Sequence, residues 1–116
     1  MANYRMEAGF EHLREAMAEI IREIVEFPPG VLVTVLGAKL TANTAHARIE
    51  LSVYPETAQA EVVKILGYAE RDIKNALGEH VRLRRMPRIH YIFNGIEATA
   101  AKVEEALNEM KKKGEL

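Results

Sequence analysis

The sequence of 116 residues contains no cysteine and no tryptophan, and aromatic residues make up only 6% of it. The absence of cysteine excludes disulfide bridges and thiolate metal sites. The longest run without a charged residue, residues 27–38, is shorter than the roughly 18 apolar residues that a membrane helix requires. The N-terminal segment is charged throughout and lacks the apolar core of a signal peptide. These absences predict a cytoplasmic protein that does not contact membranes.

Residue patterns that support catalysis are also scarce. The single serine, Ser52, lies within a predicted strand and is not framed by glycines. The histidines share no metal-ligand spacing; they are His12, His46, His80 and His90. Neither a phosphate-binding loop nor a dinucleotide fingerprint occurs. We therefore expect no enzymatic activity, no metal ion, no cofactor and no small-molecule substrate.

Positive charge is concentrated in one part of a nearly neutral chain. The net charge is −1, yet residues 62–95 carry seven basic and three acidic residues, a balance of +4. Arginine, with its planar guanidinium, binds phosphate in a bidentate manner and stacks on bases. We predict an RNA-binding surface from these seven cations: Lys64, Arg71, Lys74, Arg82, Arg84, Arg85 and Arg88. Some of them could instead neutralise Glu70, Asp72 and Glu79.

Apolar periodicity predicts the elements of the first half of the chain. Residues 6–24 repeat apolar positions at steps of three and four, so they are predicted to form a helix that ends before Pro28. The β-branched run in residues 31–41 predicts a strand, with a bulge or bend at Gly37. Residues 45–54 alternate apolar and polar side chains, which predicts a half-buried strand in a hairpin with the first.

Apolar periodicity in the second half of the chain predicts helices, then a strand, then a further helix. One apolar stripe from Val62 to Leu77 is interrupted by Gly67, so we predict two helices, or one kinked helix, over about residues 57–77. A third strand is predicted in residues 88–93. A C-terminal helix is predicted from Asn94, with Glu97 completing a capping box. Its apolar stripe comprises Ala100, Val103, Leu107 and Met110, and it ends in Lys111, Lys112 and Lys113.

This order predicts an α+β fold with a three-stranded mixed sheet and helices on one face. Helix, strand, strand, helix, helix, strand is the order of the type II KH domain, in which the loop between the central helices contacts the nucleic-acid backbone. We expect one KH-like domain over residues 1–113, with a frayed end in residues 114–116, and a monomer.

Three segments resemble the ribosome-binding factor A family, bacterial assembly factors of the small ribosomal subunit. They are REI in residues 22–24, VTVLGAKLTANTAHARIELSV in residues 33–53, and LGEHVRLRRMPRIHYIFN in residues 77–94. The order and spacing of these blocks carry the resemblance more than any one of them does.

The resemblance implies a type II KH-like protein that binds immature 30S subunits and their 16S rRNA. It implies support of late maturation and 5′-end processing, notably in the cold, without catalysis. The family has an Ala-x-Gly kink between the central helices, and here Arg71 stands at the glycine position. The kink is therefore expected at Gly67 and Ala69. The family's long basic C-terminal tail has no counterpart after Lys113, so we expect any role of such a tail to be reduced.

Two alternatives remain open from the residues alone. The chain could be a general KH-type RNA chaperone that prefers single strands, with Tyr54 and Tyr68 as stacking side chains. It could also be a protein-interaction module that uses the acidic first helix, through Glu11, Glu15 and Glu19. A solvated helix face would explain the same glutamates.

Overall fold

The computed structural model describes residues 2–83, 85–94 and 96–98. Its elements, in chain order, are α1 (Ala2–Ile24), β1 (Leu32–Leu40), β2 (His46–Tyr54), a 3-10 turn (Glu56–Ala58), α2 (Gln59–Tyr68), α3 (Glu70–His80), β3 (Arg88–Phe93) and β4 (Ile96–Ala98). The predicted α+β fold, with a hairpin, a broken helical crossover and a third long strand, is confirmed.

The strands form one mixed sheet in the order β1-β2-β3-β4. β1 and β2 are antiparallel, with an irregularity between Val35 and Gly37 that places the predicted bulge beside this glycine. β3 is parallel to β2, and its register pairs Ile49 with Tyr91. A parallel pair requires a crossover connection, which α2 and α3 supply. The broken helix therefore connects β2 to β3.

The core lies between one face of the sheet and the helices. β2 contributes alternate residues to it, and Ala47, Ile49, Leu51 and Val53 are all buried. The helices contribute residues at helical spacing, which are Leu13, Met17, Ile20, Val62, Leu66, Ile73 and Leu77, each at most 1% exposed. These residues belong to one cluster. The opposite face of the sheet is left without a helix among the described residues and is called the open sheet face below.

The chain turns sharply between α1 and β1. The N–H of Val31 donates to the carbonyl oxygen of Pro28 at 3.1 Å, and Gly30 has a φ of 84°. Pro29 and Gly30 thus occupy the central positions of a type II turn, for which proline followed by glycine is favoured. The proline pair that ends the helix also directs the chain into the hairpin.

The prediction of a helix from Asn94 onward is wrong for its first residues. Ile96–Ala98 form β4, antiparallel to β3, with Phe93 opposite Ile96. Asn94 adopts a φ of 53°, which asparagine tolerates better than most residues. Asn-Gly between two apolar runs is a strong hairpin signal, and here it outweighs the capping-box pattern. The rest of the predicted helix, including Ala100, Val103, Leu107, Met110 and the three lysines, lies outside the described residues, as do residues 114–116.

Candidate nucleic-acid interface

The break in the helical crossover falls at a single residue, Ala69. Its backbone has φ −90° and ψ 0°, between the end of α2 and the start of α3. Its N–H donates to the carbonyl oxygen of Ile65 at 3.1 Å, and its own carbonyl accepts from Ile73 at 2.9 Å. The two helices therefore join without an open loop, and the half-buried Ala69 packs against the core.

Gly67, the other predicted kink position, lies within α2 and is exposed. A Cβ added there would meet nothing within 4 Å. Because glycine lowers helix stability relative to alanine, we expect Gly67→Ala to raise the free energy of unfolding by about 0.5–1 kcal/mol. Urea denaturation of both proteins measures this difference. A destabilised variant would show that the break requires the backbone freedom of Gly67.

The predicted cations on α2 and α3 lie at the surface because the apolar residues of each helix occupy its buried face. Val62 and Leu66 of α2 point into the core, so Lys64 is exposed. Arg71 in the first turn of α3 is also exposed. Lys74 is half-buried, and its Nζ lies 3.7 Å from Oε1 of Glu70. A pair this exposed contributes little to stability, but it does offset part of the charge of Lys74.

The remaining predicted cations follow α3. Arg82 and Arg85 are exposed in the connection to β3, whereas Arg84 lies outside the described residues. Arg88 is exposed at the first position of β3. Because Ile89 packs toward the helices, strand alternation places Arg88 on the open sheet face. The structure thus separates Arg88 from the cations of the helices.

Most of these cations have no acidic partner within the described part of the chain. Among the described residues the ion pairs are Glu11 with Arg14 and Glu70 with Lys74. Of the possible neutralising residues, only Glu70 forms an ion pair with a predicted cation that the structure describes. No carboxylate of the described part lies within 4.0 Å of the other described members of the set. We define the kink face as four of these, two on the helices and two in the connection that follows α3: Lys64, Arg71, Arg82 and Arg85.

A second group of polar residues lies on the open sheet face and was not predicted as a site. Lys39 of β1 pairs in register with Arg48 of β2, which in turn pairs with His90 of β3. Nδ1 of His46 lies 2.8 Å from Nε2 of His90, so one ring N–H donates to the other ring. The alternation of β2 already placed His46 and Arg48 on one side. Their neighbours depend on the parallel register, which no local pattern shows.

The acidic face of α1 is exposed at Glu11, Glu15 and Glu19. The Arg14 guanidinium donates hydrogen bonds to Glu11, and these bonds lower the pKa of the Glu11 carboxyl. Part of the negative charge that a basic partner would contact is therefore already offset within the same helix.

The Tyr91 side chain lies beneath the kink region. Tyr91 is 8% exposed, and its hydroxyl has no hydrogen-bond partner within the described part of the chain. Burial, with a smaller contribution from Glu70 at the start of α3, raises the pKa of Tyr91 well above its ordinary value of 10.0. A buried hydroxyl without a partner costs about 1–3 kcal/mol.

We expect Tyr91→Phe to raise the free energy of unfolding near neutral pH by about 1 kcal/mol. The same change should reduce the loss of stability in alkali. Above pH 10.0 the tyrosine ionises in the unfolded chain while it stays protonated in the folded one, so the unfolded state gains stability as pH rises. Urea denaturation at neutral pH and at about pH 11 tests both effects. Equal alkaline losses in the two proteins would contradict this account.

The described residues include neither a cluster of metal ligands nor a helix that could span a membrane. No group of three or more histidine, aspartate or glutamate side chains is placed to hold a metal ion there. None of the helices in this part is both long and apolar enough to span a bilayer.

The fold and its surface define a small α+β domain whose broken helical crossover presents exposed cations beside a mixed sheet. The chain belongs to the ribosome-binding factor A family, whose sequence model matches residues 5–107.

Proteins with this family name are similar to the chain in sequence and in structure. Ribosome-binding factor A of Paenarthrobacter aurescens is 26% identical over 104 residues, which is 89% of this chain and 62% of that protein. The crystal structure of ribosome-binding factor A from Thermus thermophilus is 26% identical, with a TM-score of 0.66 over 75% of this chain and 93% of that one. A Thermus thermophilus homology model, fitted into the cryo-EM map of a complex of the 30S subunit with ribosome-binding factor A, is 25% identical, with a TM-score of 0.54 over 70% and 90%. The chain thus spans less than two thirds of the length of the Paenarthrobacter protein.

Proposed function

We propose that this chain is a ribosome assembly factor, without enzymatic activity, that binds the small ribosomal subunit. Its membership of the ribosome-binding factor A family is the observation that carries the proposal. The fit of the related Thermus thermophilus protein into a map of a 30S complex supports it.

The kink face is the proposed contact with 16S rRNA. Its four cations are exposed and have no carboxylate within 4.0 Å among the described residues. Unpaired cations of this kind displace counterions from phosphates, which gives RNA affinity and makes it salt-dependent. Lys74 and Arg88 contribute less to this contact, because one is paired with Glu70 and the other lies on the open sheet face.

The proposed KH-like contact relies on side chains more than on the backbone. A KH loop offers free main-chain N–H groups to phosphate. At the break of this chain, the N–H of Ala69 is already bonded to Ile65. The charged side chains on either side, Lys64 and Arg71, therefore supply the contact in its place.

The finer roles follow from the family resemblance and are part of the proposal. They are a monomeric, cytoplasmic factor that acts on the immature 30S particle in late maturation and 5′-end processing, including in the cold. One KH-like domain over residues 1–113 is proposed to suffice for subunit binding.

Co-sedimentation with purified small subunits at low and moderate salt tests the proposal. We expect the chain to sediment with the subunits at low salt and to dissociate progressively as salt rises, because phosphate contacts weaken with ionic strength. Failure to sediment with both immature and mature particles at low salt would refute subunit binding.

A second candidate function is a general chaperone of single-stranded RNA. It is favoured by Tyr54 and Tyr68, which are 70% and 80% exposed and so available for base stacking. Equal affinity for a short unstructured RNA and for the subunit would favour this function, whereas a clear preference for the subunit would favour assembly.

A further inference from the structure

The open sheet face carries a linear arrangement of chemically different groups along β2. Arg48, Glu50, Ser52 and Tyr54 are all exposed, at every second position of the strand. Strand residues are spaced by about 3.3 Å, so alternate side chains follow one another at roughly 7 Å on the same face. The face therefore presents a cation, a carboxylate, a hydroxyl and an aromatic ring in succession.

The end of this face near His46 is strongly basic. Lys39 and Arg48 lie opposite each other on β1 and β2, and Arg88 lies opposite His46. All three cations are exposed, and none has a carboxylate within 4.0 Å in the part of the chain that the structure describes. The contact between His46 and His90 joins the second strand to the third at this end. These cations are available to an anionic partner.

A shallow depression of about 260 Å³ follows next along the strand. It is lined by Gly37, Ala38, Lys39, Arg48, Glu50 and Ile92. Gly37 contributes no side chain, and the nearest neighbour of a Cβ there would be the Glu50 carboxylate at 3.8 Å. The depression thus has an apolar part, two cations and one acceptor of hydrogen bonds.

The Glu50 carboxylate favours one kind of partner over another. A surface that only gathers phosphates would be weakened by Glu50, since like charges repel. The edge of an unpaired base carries both N–H donors and acceptor atoms, so it can donate to Glu50 and accept from Arg48. Beyond the depression, Tyr54 is 70% exposed and offers a ring on which a base can stack.

We propose that the open sheet face binds a single-stranded segment of RNA along β2. Its phosphates contact Lys39, Arg48 and Arg88, one base occupies the depression against Glu50, and another stacks on Tyr54. This surface lies on the side of the sheet away from the helices, whereas Lys64 and Arg71 of the kink face lie on α2 and α3. The inference rests on the proposed function in that the single strand would belong to the RNA of the bound subunit.

The test measures binding of the full chain to an eight-residue unstructured oligoribonucleotide at low salt, by fluorescence anisotropy. Tyr54→Ala is expected to weaken binding by about fivefold or more, because a stacked base contributes about 1–3 kcal/mol. Glu50→Gln is expected to weaken binding as well, and Arg48→Gln more strongly. Arg22→Gln, at an exposed position of α1, is the matched control and should bind as the wild type does.

A strand of the same length with abasic positions separates base contacts from phosphate contacts. It should bind several-fold more weakly than the base-containing strand and should not respond to Tyr54→Ala. The inference is overturned if Glu50→Gln strengthens binding of the base-containing strand, because that is the behaviour of a surface that contacts phosphate alone. It is also overturned if an acidic peptide binds here and the oligoribonucleotide does not.

Co-sedimentation of the wild type with small subunits keeps the two proposals distinguishable. A wild type that sediments with subunits, while Tyr54→Ala and Glu50→Gln bind the oligoribonucleotide unchanged, overturns only the inference about the sheet. A wild type that does not sediment, but binds the oligoribonucleotide through β2, refutes only subunit assembly.

Discussion

Replacement of the four kink-face cations by glutamine is expected to remove most of the affinity of this chain for small ribosomal subunits. The variant carries Lys64→Gln, Arg71→Gln, Arg82→Gln and Arg85→Gln. Each phosphate contact contributes about 0.7–0.9 to the slope of log affinity against log salt, so the loss of four contacts should reduce the slope by about 3. With a slope that is smaller by about 3, raising the salt from 50 to 200 mM should weaken binding of the variant roughly 60-fold less than it weakens binding of the wild type.

The measurement is the dissociation constant of the chain for purified subunits at four or more salt concentrations. Far-ultraviolet circular dichroism of the variant checks that it is folded, and glutamine keeps the helical propensity of lysine and arginine in α2 and α3. Arg22→Gln removes a cation from the exposed end of α1 and should leave the slope nearly unchanged. An unaltered slope in the fourfold variant would show that the RNA contact lies elsewhere on the molecule.

The predicted cations lie on two different surfaces, and only part of this arrangement could be predicted from the sequence. Lys64 and Arg71 could be placed on helices because Val62, Leu66 and Ile73 define the buried stripe, and exposed positions follow from it. Arg88 was grouped with them because it is near in sequence. Its position on the open sheet face depends on the alternation of β3, in which Ile89 is the first residue to face the core.

The kink was expected at Gly67 and Ala69, and of these two positions the break between α2 and α3 lies at Ala69. Helix propensity identifies the residue at which an isolated helix is least stable. The observed break lies instead where the apolar stripes of α2 and α3 can both be buried. Leu66 and Ile73 are each fully buried on either side of the break. Packing against the sheet therefore determines the position of the kink, and local propensity does not show it.

The incorrect prediction of a helix from Asn94 has a different cause. Asn94 and Glu97 match a capping box, but Asn94 and Gly95 also match a two-residue hairpin turn. Both signals are local, and the choice depends on whether the edge of β3 is available. Phe93 pairs with Ile96 across that edge. A sheet that is predicted to end at β3 leaves no place for this hairpin, so the sequence pattern alone favours the helix.

Leu66→Ala is expected to lower the free energy of unfolding by about 2–5 kcal/mol, which is a large share of the 5–15 kcal/mol typical of a small domain. Leu66 is 0% exposed and lies three residues before Ala69, so the substitution leaves a cavity directly beneath the end of α2. Urea denaturation measures the change. Leu32→Ala, at a position that is 67% exposed on β1, is the control and should be close to neutral.

A comparison with Leu13→Ala separates the stability of the fold from the geometry of the kink. Leu13 is 1% exposed in α1, so its replacement should destabilise the protein by a similar amount, but the cavity lies under a helix that carries none of the kink-face cations. At a temperature where both variants are folded, Leu66→Ala should weaken subunit binding more than Leu13→Ala does, because Leu66 lies on the same helix as Lys64 and next to the break. Equal subunit affinities in the two variants would show that the cations bind RNA without a fixed orientation of α2 relative to α3.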